Sequence, residues 1–181
     1  MAFAVPGTAA RALLRYDREN IASGEWWRLL TGHFAHLGLS HLLLNAAGLV
    51  LIWFLVGGSY GLRAWLFISA VSIAVIDLGF WYLDPRLEWY VGMSGMLHGI
   101  LAAGLVQLLR QAPVESTLLA VAIAAKLVYE QIAGPLPGSE SSAGGSVVVD
   151  AHLYGATGGL VAAGLYRSGI VIMARFQGVQ R

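Results

Sequence analysis

Gly92-Met93-Ser94-Gly95-Met96-Leu97-His98-Gly99 opens an apolar run that ends near Arg110, and it sets a glycine-flanked serine at the head of a transmembrane helix. In hydrocarbon an open segment must be helical, because every backbone group has to be paired within its own segment. Serine is a weak nucleophile at neutral pH until a base takes its proton. A second polar residue, His152, stands at the head of the last apolar segment. Such a pair in an otherwise oily chain is a candidate functional site by default.

The surrounding composition agrees with a membrane setting. The 181 residues are 57% hydrophobic and 12% charged, against roughly 25% charged in soluble domains. Mean hydropathy is +0.69. The apolar residues come in long blocks, which fits one polytopic all-α membrane domain over residues 1–181. Five spans are expected, at about 39–60, 62–83, 92–110, 115–133 and 147–173, with Pro113 breaking the chain before the fourth. A formal charge of +1 without a basic patch argues against a nucleic-acid partner. The absence of cysteine excludes disulfides, thiol catalysis and thiolate metal sites.

Charges at the span ends set the orientation. Arg63, Arg110, Arg167, Arg175 and Arg181 fall on one side if the spans alternate, and the loop before Val147 holds no base. The positive-inside rule makes that side cytoplasmic. Ser94 and His152 then both begin helices at the opposite face. Ahead of the first span, Trp26-Trp27-Arg28 reads as an interfacial loop or short amphipathic helix at headgroup level. Arg11, Arg15 and Arg18 would be stranded outside under this scheme. A further helix before them would remove the conflict, so residues 1–23 are read as the remnant of a first helix.

Helical spacing brings the two reactive residues together. At 100° per residue Gly159 lies about 20° from His152 around the helix and Gly155 about 60°. Gly95 and Gly99 form a second small-xxx-small pair beside Ser94. Such pairs let helix backbones approach closely in lipid. The glycines alone indicate only packing; with a hydroxyl and an imidazole at one depth, they indicate a serine–histidine dyad. A dyad needs donors for the oxyanion it creates. His41 and Asn45, four apart on the first span near its outer end, are candidates, with a polar staple between helices as the plainer reading.

Trp27-Arg28, His41-xxx-Asn45, Gly92-x-Ser94-Gly95 and Ala151-His152-xx-Gly155-xxx-Gly159, in that order over about residues 24–165, resemble the rhomboid family of intramembrane serine proteases. The resemblance implies a six-helix rhomboid fold, with Ser94 as nucleophile and His152 as general base. His41 and Asn45 would join the backbone N–H of Ser94 as oxyanion hole, with no third carboxylate. Where many members have tyrosine to stack on the histidine, this chain has His98. The run from Gly92 to His98-Gly99 is similar to one branch, the rhombosortases. So are Gly24-Glu25-Trp26-Trp27-Arg28-Leu29-Leu30-Thr31-Gly32-His33-Phe34, Lys126-Leu-Val-Tyr-Glu130-Gln131 and Asp150-Ala-His152-Leu-Tyr-Gly. That likeness implies transmembrane protein substrates with a C-terminal Gly-Gly motif, apolar helix and basic tail. It also implies a bacterial cytoplasmic membrane, lipid contact and a site opening to the periplasmic side.

Other polar residues have plainer readings. Lys126 and Glu130 are expected to pair along one helix and so lower their cost of burial, with substrate contact as the alternative. Asp77 is assigned to structure, facing the interior or a hydroxyl such as Ser72. Asp150, two residues from His152, points away from it and receives no catalytic role. His33 and His36 do not make a metal site, since no carboxylate or cysteine completes one, and nothing calls for a cofactor. Met93 and Met96 are pocket lining or packing. The soluble esterase elbow fails because Met96 stands where its second glycine belongs. A transporter would show internal repeats and broken helices. A generic rhomboid protease, or a rhomboid-like binding protein without catalysis, is the alternative function.

Overall fold

The computed structural model describes residues 8–178, with side chains over 9–169. Arg175, Arg181 and the end of the fifth span at Met173, as charges or side chains, lie outside that range. In chain order the elements are α1 (Thr8–Leu14), β1 (Tyr16–Asp17), α2 (Arg18–Ala22), α3 (Arg28–Thr31) and α4 (Leu39–Val56). There follow α5 (Leu62–Tyr82), β2 (Trp89–Tyr90), α6 (Ser94–Leu108), α7 (Pro113–Ala133), α8 (Ser139–Ala143) and α9 (Asp150–Gly178). The fold is a mostly helical bundle, and the chain is a multi-pass membrane protein.

Among the described residues three helices are long and apolar enough to cross a bilayer: Leu39–Ser59, which is α4 with the 3-10 turn Gly57–Ser59 that continues it, Leu62–Tyr82 and Pro113–Ala133. The expected third span is shorter, at 15 residues in α6, because Gly92 and Met93 at its start and Leu109 and Arg110 at its end stay outside the helix. The expected fifth begins at Asp150 rather than Val147, and its acidic first residue suits the positive end of the helix dipole. Pro113 does not merely interrupt the chain. It opens α7, where a missing N–H costs nothing and a fixed φ favours the first turn.

In lipid, apolar side chains gain nothing by leaving hydrocarbon for one another, so close backbone packing must hold the bundle. The glycines supply it between α6 and α9. A Cβ on Gly95 would lie 2.7 Å from the Ala151 carbonyl oxygen, and one on Gly99 would lie 2.6 Å from that of Gly155. On the facing side, a Cβ on Gly159 would lie 2.6 Å from the Gly99 carbonyl carbon. Around this seam Ile52, Val56, Trp65, Ile68, Leu97 and Leu101 form the main core. Large apolar residues such as Phe54, Leu66 and Ile132 face outward, as lipid contact requires.

A layer of short elements covers the end of the bundle where α6 begins. β1 pairs antiparallel with β2, Tyr16 opposite Tyr90. Tyr16, Ile21, Phe80 and Tyr90 make a second core beneath it. Trp26 and Trp27 are exposed, in keeping with an interfacial loop, but Arg28 is only 3% exposed. Its guanidinium bonds Glu25 at 2.6 Å and the carbonyls of Ala12 and Arg15. The headgroup role read for Arg28 is therefore corrected: three acceptors within the layer outcompete the surface.

Candidate active site

Gly92 prepares the serine. Its φ of +134° is open to glycine and strained for other residues, and a Cβ there would sit 2.9 Å from the His41 ring. The Gly92 N–H donates to the Gly32 carbonyl at 3.1 Å, and its own carbonyl accepts from the Tyr90 hydroxyl at 2.5 Å. Burial pushes the Tyr90 phenol up, so it remains a donor. The chain turns there into α6, with Ser94 as first residue.

The glycine seam sets α9 against α6 so that Ser94 Oγ lies 3.0 Å from His152 Nε2. His152 is 5% exposed. The His98 ring stacks on the His152 ring, with centroids 4.3 Å apart and planes at 20°. His98 Nδ1 is 2.8 Å from the Ser94 carbonyl oxygen, which makes it the donor, and Nε2 accepts from Lys126 Nζ at 3.1 Å.

A cavity of about 280 Å³ opens over the pair. His41 and Asn45 border it together with Ser94 and His152, and so do Lys126 and Glu130. His41 Nδ1 accepts from the Leu37 N–H at 3.2 Å, which leaves Nε2 as the protonated nitrogen. Asn45 Nδ2 donates to the His41 carbonyl at 3.1 Å along its own helix, and its second amide proton is uncommitted. Beside them His36 meets His41 edge to face at 5.1 Å. Burial lowers the His36 pKa, which keeps this ring neutral.

Lys126 and Glu130 pair at 2.7 Å, as their spacing predicts. What spacing did not reveal is that Glu130 Oε2 also lies 2.9 Å from His152 Nδ1. The sequence clue was depth: Glu130 sits near the end of the fourth span, level with the serine. Asp150 does not border the cavity. Asp77 is not turned to Ser72; its carboxylate bonds His33 Nε2 at 3.1 Å, so a carboxylate does reach the histidine read as lacking one. Among the described residues no three His, Asp or Glu side chains converge as metal ligands. Met96 is buried and Met93 packs against the main core; neither borders the cavity.

The comparisons with known proteins point the same way as the geometry. Residues 23–169 match the Rhomboid domain family. The chain is similar to "Putative rhomboid protease YdcA" of Bacillus subtilis, 32% identical over 89 residues, 49% of this chain and 45% of that protein. It is also similar to rhomboid protease GluP of the same organism, 34% identical over 83 residues, 46% of this chain and 16% of that one. The matched stretches thus span less than half the length of either relative. No solved structure matches the chain. With the domain match reaching from the covering layer to α9, the chain belongs to the rhomboid family.

Proposed function

We propose that this protein is an intramembrane serine protease that cuts membrane-anchored proteins near the outer end of their transmembrane helix. The observation that carries the reading is the 3.0 Å approach of Ser94 Oγ to His152 Nε2 at the floor of a cavity bordered by uncommitted donors. Ser94 is the nucleophile and His152 the general base. Attack forms the Oγ–C bond while the hydroxyl proton passes to Nε2. The anion on the former carbonyl oxygen receives hydrogen bonds from Asn45, His41 Nε2 and the Ser94 backbone N–H. His152 then returns the proton to the leaving amine, and water or another amine resolves the acyl-enzyme. His98 backs the imidazole as a stacking plate.

Element lengths support a recessed site. The 15 residues of α6 rise about 22 Å, less than the roughly 30 Å hydrocarbon core. A substrate helix must therefore unwind to deliver a peptide bond to Ser94, which favours glycine near the cut. This fits processing of C-terminal tails built from a Gly-Gly motif, an apolar helix and a basic cluster, in a bacterial cytoplasmic membrane with the site towards the periplasm.

The test is cleavage of such a tail in membranes by wild type, Ser94→Ala and His152→Ala. Each substitution is expected to lower turnover by about 10⁴-fold or more. Wild-type cleavage by Ser94→Ala would falsify the mechanism. If generic rhomboid substrates are cut and the Gly-Gly tail is not, the substrate assignment falls and the protease stands. If no substrate is cut but client helices are retained on pull-down, the chain is a rhomboid-like binding protein.

A further inference from the structure

We infer that Glu130 completes a Ser94–His152–Glu130 triad in which its carboxylate fixes the tautomer and orientation of the catalytic imidazole. The inference rests on the protease reading above. For Nε2 to accept the serine proton, its lone pair must face Ser94, so the resting ring carries its hydrogen on Nδ1. That N–H needs an acceptor, and Glu130 Oε2 is 2.9 Å away. The same bond stabilises the imidazolium formed when Ser94 attacks. The proton balance is unchanged by this: the hydroxyl proton goes to Nε2 and then to the leaving amine, while the Nδ1 proton stays in its bond to Glu130.

Two observations separate this role from mere pairing with Lys126. First, α7 is an otherwise outward-facing apolar helix whose buried residues are Ser116 and Glu130. Glu130 is 3% exposed and Lys126, its ion-pair partner, 24%. A pair serving only itself could lie at the helix surface without turning its acid across to α9. Second, the donors and acceptors are consistent with one assignment of protons. Lys126 donates to Glu130 and to His98 Nε2, and His98 Nδ1 donates to the Ser94 carbonyl. Lys126 Nζ also lies 3.4 Å from His152 Nδ1, but with both groups protonated this is a contact between donors sharing one carboxylate. The ammonium neutralises the acid, and Oε2 accepts from the ammonium and the imidazole together. Glu130 acts through His152 and is a positioning residue.

Four proteins in detergent, all assayed on a substrate that wild type cuts, test this: wild type, Glu130→Gln, Glu130→Asp and Lys126→Met. A glutamine amide offers Nδ1 a donor as readily as an acceptor and allows the wrong tautomer. Glu130→Gln is expected to lower kcat by about 10³–10⁴-fold with little change in KM. Glu130→Asp restores part of that loss, and Lys126→Met costs less than Glu130→Gln. Proton NMR of wild type is expected to show a strongly downfield Nδ1–H resonance that disappears in His152→Ala and in Glu130→Gln. Lack of that resonance in folded wild type overturns the triad even if Glu130→Gln fails to fold. So does an equal loss in Lys126→Met and Glu130→Gln with matching drops in melting temperature. Activity in Glu130→Gln beside an inactive Ser94→Ala removes Glu130 alone, whereas activity in Ser94→Ala removes the protease reading itself.

Discussion

Asn45 reaches the cavity with one amide proton already committed to the His41 carbonyl and the other free. On the proposed mechanism Asn45 donates to the oxyanion and acts only where charge develops, so its loss should appear in kcat rather than KM. Asn45→Ala is expected to lower kcat by about 10²–10³-fold, measured as initial rates against substrate concentration in detergent. A loss below a few fold would return Asn45 to the plainer role of a polar staple. Its place near His41 could be read from the sequence because residues four apart share a helix face. The partner of Glu130 could not. The same rule pairs it with Lys126 on α7, and nothing in one helix's periodicity tells which side chain on α9 it meets.

Among the elements, α6 and α9 decide whether the site exists. Their glycines recur at the helical period, which made the approach of Ser94 to His152 legible in the sequence. A Cβ on Gly155 would lie 2.6 Å from the Gly95 carbonyl carbon, whereas one on Gly164 meets nothing within 4 Å. Backbone cannot step aside as a side chain does. Gly155→Ala is therefore expected to destabilise the protein by about 1–3 kcal/mol and to cost activity as the dyad is pried apart. Gly164→Ala serves as the control, neutral or stabilising by up to about 1 kcal/mol. Thermal unfolding in detergent with parallel cleavage assays checks both; equal behaviour of the two variants would refute the seam. The boundaries of α6 were less legible, because Met93 is as apolar as its neighbours and only the turn at Gly92 excludes it.

Across the whole molecule, the covering layer is latched to the bundle by arginines turned inward. Arg18 donates to the carbonyls of Phe80 and Trp81 at the end of α5, while Arg28 ties α1 and Arg15, the residue before β1, to α3. Beside two exposed tryptophans an arginine reads as a headgroup anchor, and only the tertiary fold reveals that backbone carbonyls converge on it. Arg28→Met is expected to cost about 2–4 kcal/mol, since it strands acceptors that a charged donor had satisfied. Faster tryptic cutting at Arg15 or Arg18 in the folded variant would register the loosened layer, and wild-type resistance would count against the latch.

The Lys126–Glu130 couple has one more consequence, for the charge of a site that the proposed function recesses into hydrocarbon. The ammonium and carboxylate, paired at 2.7 Å, cancel at rest, and a general base must begin with the nitrogen that faces the serine unprotonated. On the proposed mechanism, proton transfer makes His152 cationic at the moment the bound carbonyl oxygen becomes anionic, and these two cancel as well. An isolated ion is expensive to hold in a low-dielectric medium, whereas opposed ions held by hydrogen bonds are not. On that mechanism the pocket passes through its most polar state while remaining electroneutral, and no counter-ion has to follow the substrate into the bilayer.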